Sequence, residues 1–337
     1  MAIDKGGNVI MKYLITGGAG FIGSNFIKYM MDKYKEDYFV CLDLLTYASS
    51  LDSLKEVMNN KNFKFVHGDI CDIELVDKLF NEERFDYVIN FAAESHVDRS
   101  FIYEDLFYKS NVEGVRVLLE ASNRYKVKRF HQVSTDEVYG QLPLDDLDLS
   151  FTEESPLNPT TPYSKSKRDA DLLILDYIKK EDIDVTISRS ANNYGIYQHP
   201  EKLIPKTVKM ALNKENITIY GNGLNIRDWL YVTDHCIAID LILHKGSKGE
   251  IYNVGANKEY TNIEIIKMVL NELKITGYNI SYTNSRIHDD TRYSLNCDKI
   301  KRGLGWDVTS NFDDTFKFTV NWFKENYNWI IEILKKC

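Results

Sequence analysis

Three glycines, Gly17, Gly20 and Gly23, stand in the run Thr16-Gly-Gly-Ala-Gly-Phe-Ile-Gly23, directly after the apolar stretch Lys12-Tyr-Leu-Ile15. No other pattern in the chain restricts its fold as much. It reads as a strand, a tight turn and the first turn of a helix. Glycine serves three purposes there: it makes the turn, lets a pyrophosphate approach bare backbone, and lets helix and strand pack closely. The helix start then offers free N–H groups and a partial positive charge to phosphates. The context agrees. An amphipathic helix follows (Phe21, Ile22, Phe26, Ile27, Met30), and Asp43 ends a second apolar run, Tyr38-Phe-Val-Cys-Leu42, 20 residues past Gly23. A carboxylate at that distance holds the adenosine ribose hydroxyls of a dinucleotide. It would also repel a 2′-phosphate, and the first arginine of the chain is Arg84, so NAD is expected rather than NADP.

The first half alternates between apolar runs and helical patterns. The runs end near Thr16, Asp43, Asp69, Ala93 and Thr135, and a long helical pattern covers about Tyr103 to Tyr125. Repeated βα units predict an α/β fold, a doubly wound parallel sheet of Rossmann type. Ligands of such sheets bind beyond the carboxyl ends of the strands. That rule gathers Gly17–Gly23, Asp43, Asp69–Ile70, Ala92–His96 and Ser134–Glu137 on one rim. An acidic, proline-bearing loop follows at 141–160, then a helix from Thr161 to about Lys180 and a strand Val185–Arg189. After Asn192-Asn-Tyr-Gly195 the alternation lapses. A smaller mixed α/β lobe is expected there, with a helix near Leu203–Leu212, a strand Ile217–Tyr220 and a terminal helix around Phe312–Leu334. The expected division is a nucleotide domain over 1–190 with a returning segment about 233–262, and a lobe of 191–232 and 263–337.

The bulk properties exclude several classes. The chain has 337 residues, 44% hydrophobic and 27% charged, with a net charge of −8. That field repels nucleic acid and anionic membrane, and no basic run or uncharged membrane-length segment is present. The N-terminus lacks a signal-type apolar core, and Met11 is a candidate second start that would make residues 1–10 a dispensable extension. Five scattered cysteines without a CxxC pair are read as reduced thiols, hence a cytoplasmic protein, and the histidines show no metal-ligand spacing. No metal is expected.

Tyr163-Ser-Lys-Ser-Lys167 opens the helix after the acidic loop. Tyrosine and lysine four apart share a helix face, so the ammonium is expected to lower the pKa of the phenol. Tyr163 then suits acid/base work on a substrate hydroxyl, and Lys167 can also hold the nicotinamide ribose. With the glycine turn far upstream, the chain resembles the extended short-chain dehydrogenase/reductase family over essentially its whole length from Met11. Val133-Ser-Thr-Asp-Glu-Val-Tyr-Gly140 resembles the nucleoside-diphosphate-glucose 4,6-dehydratases more closely. Nucleotide-sugar 4-epimerases typically carry small residues at the Asp136 and Glu137 positions, and sugar-nucleotide decarboxylases and GDP-mannose dehydratases typically carry Thr-Ser-Glu. Further similarity lies in Asn90–Ser100, Asn192–Gly195, Pro200–Pro205 and Ile226–Tyr231.

The resemblance implies a redox-neutral lyase acting on UDP-glucose or dTDP-glucose, an early step of rhamnose or deoxysugar synthesis, in a homodimer formed through the helices near 103–125 and 161–180. Tyr163 would take the O4 proton as C4 gives hydride to NAD, with Thr135 beside it. Glu137 would remove the C5 proton, and a protonated Asp136 would help O6 leave as water. Mutual repulsion and burial suit two adjacent carboxyls to such a division. By the same resemblance Asp69 and Ile70 flank the adenine, and Ala92, Ala93, Ser95 and Ser134 line the cofactor, with Asn111 and Asn193 as further candidates. Ser95, Thr135, Asn192, Lys202, Leu203, Tyr220, Arg227, Asn262, Arg286 and Asp290 would face the nucleotide sugar. Arg227 is the natural diphosphate partner, its planar fork matching phosphate oxygens. The segment Arg286-Ile-His-Asp-Asp-Thr-Arg-Tyr293 departs from the bacterial dTDP-glucose pattern Arg-Pro-Gly-His-Asp-Arg-Arg-Tyr, which leaves thymine and uracil equally open. A 4-epimerase or decarboxylase of the same fold, or an NAD-sensing regulator without catalysis, are the competing readings. Asp136 weighs against the first two, and the presence of both Tyr163 and Lys167 against the third.

Overall fold

A computed structural model of the chain describes residues 9–283 and 290–335. Twelve strands are found among them: β1 (Lys12–Thr16), β2 (Tyr38–Asp43), β3 (Phe63–His67), β4 (Tyr87–Asn90), β5 (Arg129–Thr135), β6 (Val185–Ser190), β7 (Asn192–Tyr194), β8 (Ile217–Tyr220), β9 (Ile226–Tyr231), β10 (Ile251–Val254), β11 (Glu259–Thr261) and β12 (Ile280–Thr283). Seven of them form one wholly parallel sheet in the order β10-β6-β5-β4-β1-β2-β3. Alternation along each strand explains the two cores. Leu14, Val40, Val88 and Phe130 face helices Ile73–Glu83, Gly114–Arg124 and Pro162–Tyr177, whereas Tyr13, Ile15, Phe39 and Ile89 face helices Phe21–Lys33 and Val232–Lys245. A sheet covered on both faces needs apolar residues at successive positions, as in Tyr-Leu-Ile of β1.

The strand order reverses at β1 and β4, which opens a crevice beyond their carboxyl ends. The smaller lobe completes one side of it. β11, β9 and β7 form a three-stranded sheet, β8 and β12 pair in parallel, and helices Leu203–Leu212, Asn262–Glu272 and Phe312–Glu325 pack on them through Ile204, Ile266 and Phe316.

Three details differ from the sequence reading. The helix expected over 103–125 is broken by a π turn at Lys109–Glu113 between Glu104–Tyr108 and Gly114–Arg124. The terminal helix divides at Asn326 into Phe312–Glu325 and Tyr327–Leu334. The returning segment ends sooner than 262: β10 closes the large sheet, but Glu259–Thr261 already pairs antiparallel with β9 in the lobe. Cys297, Ile300 and Trp306 likewise pack with Val138, Ala238 and Val254 of the nucleotide domain, because helix Asp298–Leu304 seals the open edge at β10.

Candidate active site

A cavity of about 740 Å³ lies at the carboxyl ends of the strands and is walled by Gly17, Gly20, Phe21, Ile22 and Gly23, by Asp43, by Asp69 and Ile70, by Ala92, Ala93 and Ser95, and by Ser134 to Glu137. Tyr163 and Lys167 of helix Pro162–Tyr177, with Asn192, Asn193 and Lys202, complete its wall. The rim gathered from strand ends alone is therefore one surface.

At the glycine turn, Gly17 has φ +65°, and a Cβ there would lie 2.5 Å from the backbone nitrogen of Ala92. A Cβ on Gly23 would lie 2.5 Å from the carbonyl oxygen of Gly17. Any side chain at these positions would push the turn away from β4 and from the helix start. Asp43 is fastened to the same turn: its carboxylate accepts from the Ala19 N–H at 2.9 Å and the Leu45 N–H at 2.8 Å. Burial pushes its pKa up, and those N–H groups act against the shift. Bare backbone, a carboxylate at the end of β2 and Asp69 beyond β3 fit the diphosphate, ribose and adenine of a dinucleotide.

The reactive end is built by two elements. β5 runs into a 3₁₀ turn, Asp136–Tyr139, capped by the Thr135 hydroxyl, which accepts from the Glu137 N–H at 3.3 Å. Helix Pro162–Tyr177 starts with a reciprocal cap, Ser164 N–H to Thr161 Oγ1 at 3.1 Å and Thr161 N–H to Ser164 Oγ at 3.0 Å, with proline in its first turn. This fixes Tyr163 at the helix mouth and Lys167 one turn along.

Asp136 is 2% exposed; its Oδ1 accepts from the Thr135 hydroxyl at 3.1 Å, and its buried Oδ2 has no hydrogen-bond partner among the described residues. Burial, then the charge of Glu137, raises its pKa well above the usual carboxylate range. Asp136 thus favours its protonated form beside a half-buried second carboxyl, Glu137. Tyr163 corrects one expectation. Burial and the neighbouring Glu137 and Asp136 hold its phenol above the ordinary value, although the Thr135 hydroxyl acts in the opposite sense. The Lys167 ammonium does not lower it, because Lys167 is turned onto the Val133 carbonyl at 2.7 Å. Burial brings Lys167 down to about 8, with the Asp171 charge opposing the shift.

Other expected residues stand elsewhere. Asn111 does not wall the cavity; on the π turn, it pins the Glu94 peptide (N–H to Oδ1 at 2.8 Å, Nδ2 to carbonyl at 3.0 Å) and donates to Ser166 Oγ at 2.8 Å. Leu203, Tyr220, Arg227, Asn262 and Asp290 are also absent from the cavity wall. Leu203 starts a lobe helix, Tyr220 ends β8 with the Lys206 ammonium 5.5 Å from its ring, and Asn262 starts the helix after β11. Arg227 donates to the Asp290 carbonyl at 2.8 Å and sits 4.6 Å over the Tyr293 ring, while Asp290 accepts from Thr160 and from the Tyr293 hydroxyl. Arg286 lies outside the described residues. Arg227 still reaches the cavity electrostatically, since its charge opposes the rise at Asp136.

Among further wall residues, Glu94 lies within the rim gathered from strand ends, whereas Arg99 and Glu201 were given no role from the sequence. Glu94 is 7% exposed, with Oε2 buried and unpartnered among the described residues and its pKa raised by burial. Arg99 lies 4.1 Å over the Tyr47 ring. Glu201 takes His96 at 3.2 Å and His199 at 3.4 Å; against its burial, these rings and Lys202 hold it down at about 2. Glu94 and Arg99 fall in Asn90–Ser100 and Glu201 in Pro200–Pro205, so their segments were legible while their pairing across the cleft was not.

The fold and this site define a dinucleotide-dependent enzyme of the short-chain dehydrogenase/reductase class, with an acid, a carboxylate and a phenol at one end of the crevice. A family profile described as GDP-mannose 4,6 dehydratase matches residues 14–319. The chain belongs to that family. It is 44% identical over 313 residues to the low-salt glycan biosynthesis protein Agl12 of Haloferax volcanii, covering 93% of this chain and 98% of that one. The solved dTDP-glucose 4,6-dehydratase of Bacillus anthracis in complex with NAD superposes with TM-score 0.89 at 42% identity, covering 96% and 99% of the two chains. DesIV, the dTDP-glucose 4,6-dehydratase of Streptomyces venezuelae, solved with NAD bound, gives TM-score 0.92 at 41% identity over 96% of this chain and 100% of that one.

Proposed function

We propose that the chain is a nucleoside-diphosphate-glucose 4,6-dehydratase with NAD as its resident cofactor and dTDP-glucose as its preferred substrate. The observation that carries the reading is Asp136, buried at the end of β5 next to Glu137, with burial and that neighbour both favouring its protonated form. Water loss from a hexose needs an acid for the departing O6 and a base for the C5 proton, and two adjacent carboxyls at different protonation supply both. Bound NAD supplies the oxidation at C4 and the reduction at C6. Tyr163 and Thr135 hold the O4 proton, Glu137 receives the proton of C5, Asp136 gives its proton to O6, and Lys167 orients the cofactor ribose. Gly17, Gly23 and Asp43 hold the dinucleotide. Ser95, Asn192 and Lys202 take the hexose end, and Arg227 with Asp290 takes the nucleotide end. The dTDP-glucose relatives favour thymine over uracil.

The product is a precursor of rhamnose or another deoxysugar. Exposed Leu106, Tyr108 and Leu172 on helices Glu104–Tyr108 and Pro162–Tyr177, with Ile102 and Tyr103 on the turn before the first of them, support a homodimer through that face. Free Cys41, Cys71, Cys236 and Cys297, with a nucleotide-sugar substrate, support a cytoplasmic site of action.

The test is purified protein given dTDP-glucose and UDP-glucose separately, without added reductant. A 4-keto-6-deoxy product, seen by mass as loss of one water, is expected, faster with dTDP-glucose, and label at C4 should reappear at C6 of the same molecule. Appearance of a galactose epimer, or loss of the label, overturns the assignment; a faster reaction with UDP-glucose overturns the base preference alone.

A further inference from the structure

Behind the reactive turn lies a chain of buried polar groups that reaches the cavity wall only through Ser134. Asp171 is 0% exposed, one turn beyond Lys167 on helix Pro162–Tyr177. Its Oδ2 accepts from the Ser134 hydroxyl at 3.1 Å and from Arg189 Nε of β6 at 2.9 Å, and its Oδ1 has no hydrogen-bond partner among the described residues. Arg189, 2% exposed, donates onward to the Tyr139 hydroxyl at 3.0 Å and lies 4.8 Å over the same ring. Tyr139 ends the turn that carries Asp136 and Glu137, and donates to Asn253 Oδ1 of β10 at 2.7 Å. Asn253 in turn donates to the Phe151 carbonyl of the acidic loop at 3.0 Å.

An isolated ion pair this deep is a weak source of stability, because desolvation of both charges offsets their attraction. Its contacts suggest a different use. One carboxylate joins the residue before Thr135 to the helix of Tyr163 and Lys167, and one guanidinium joins β6 to the far end of the Asp136–Tyr139 turn. Acid/base groups must be held to within a fraction of an ångström, and buried hydrogen-bonded partners are how such precision is maintained.

We propose that the Asp171–Arg189 pair is a positioning unit of the dehydratase, holding the 134–139 turn in register with the Tyr163–Lys167 helix and giving the Lys167 ammonium its counter-charge. This rests on the function proposed above. Titratable groups that share the face of Lys167 on its own helix are Tyr163 and Asp171; the turn brings Asp136, Glu137 and Tyr139, β5 brings Arg129 and His131, and β6 brings Arg189. The flanking helical segments meet this helix through the uncharged Phe107 and Asn111. Among the charged groups Asp171 is the one that opposes the fall of Lys167 to about 8.

The experiment follows Lys167 by ¹³C-lysine NMR titration of the full chain, assigned with Lys167→Arg, alongside steady-state rates on dTDP-glucose. Asp171→Asn is expected to lower the Lys167 midpoint by about one pH unit, a tenfold change in its proton affinity, and to move the alkaline limb of kcat down with it. Tyr139→Phe keeps the ion pair and removes only the hydroxyl that steadies the turn. It is expected to leave the Lys167 midpoint and KM in place while kcat falls about tenfold. An unchanged midpoint in Asp171→Asn, or an unchanged kcat in Tyr139→Phe, overturns the proposal. If Asp171→Asn does not fold, the Tyr139→Phe rates decide. If the wild-type chain makes no 4-keto-6-deoxy product, the proposed function fails on its own, and the NMR midpoints still judge the pair.

Discussion

Replacing Asp136 by asparagine should make the protein inactive and more stable, and the two effects can be worked out from one geometry. Asparagine has the same shape and can still accept from the Thr135 hydroxyl, which now lies 3.1 Å from Oδ1. It cannot give a proton to a departing oxygen. Loss of a positioned general acid lowers a rate by roughly 10²- to 10⁴-fold, so water elimination should fall in that range. Oxidation at C4 does not call on Asp136, and NADH absorbance near 340 nm, roughly the usual nicotinamide band, should build up on mixing with substrate. The stability effect follows from linkage. The folded pKa of Asp136 is raised by burial and by Glu137, so the unfolded chain gives up this proton at lower pH than the folded one. The wild-type fold therefore loses stability relative to Asp136→Asn as pH climbs above the unfolded carboxyl value. The loss grows by up to about 1.4 kcal/mol per pH unit until the folded group itself ionises. Each pH unit of that window is worth a few degrees in Tm at most for a chain of this size. Thermal melts of both proteins from pH 4.5 to 7.5 give the slope, and stopped-flow absorbance gives the partial reaction. Parallel melting curves at every pH would refute the claim that Asp136 is a neutral buried acid. Full turnover by the variant would remove it from the chemistry.

Three further outcomes are expected. Tyr163→Phe should suppress both the NADH signal and the product by about 10²-fold or more, since it removes the acid/base group that works on O4 and leaves only the Thr135 hydroxyl there; an undiminished NADH burst in stopped flow would clear Tyr163 of this role. Gly17→Ala should abolish cofactor retention, because the added carbon must lie 2.5 Å from the Ala92 nitrogen at φ +65°; NAD extracted per chain from the purified variant is the measure, and wild-type stoichiometry would contradict it. The wild-type rate should decline above about pH 8 as the Lys167 ammonium is lost, a direction set by burial lowering that group from its ordinary value; a rate flat to pH 10 or so would show that the neutral amine serves equally well.

The parts of this protein that were legible in the sequence are those whose cause is local. A glycine turn after an apolar run demands a strand before and a helix behind, and repetition of that unit demands a parallel sheet, so the crevice at its carboxyl ends was implied before any coordinate was known. Asp43, Asp69, Asp136 and Glu137 stand at strand ends, and a strand end is visible as the end of an apolar run. The π turn at Lys109–Glu113 was not visible, because apolar spacing there suits an unbroken helix. What fixes it is non-local: Asn111 satisfies the Glu94 peptide and Ser166 together.

The same division accounts for the phenol. On an isolated helix Tyr163 and Lys167 form a pair that lowers the phenol pKa, and i,i+4 spacing was the only information available. In the folded chain Lys167 spends its proton on the Val133 carbonyl, and the phenol meets two carboxyl groups from another element. Those carboxyls come within range because β5 and the helix converge, which depends on the pairing of β5 with β6 and on the Asp171–Arg189 contact across it. A helix motif thus specifies which groups are present, and the sheet specifies which charges they face. The direction of a pKa shift belongs to the second kind of information. Because the phenol is held above its ordinary value, it must hand its own proton on to solvent, by way of the Thr135 hydroxyl beside it, as it takes that of O4, and both transfers are coupled to the departure of hydride from C4. A solvent isotope effect on NADH formation that appears together with the C4 deuterium effect is the expected sign of that coupling, and a solvent effect on a separate earlier step would argue for a preformed phenolate.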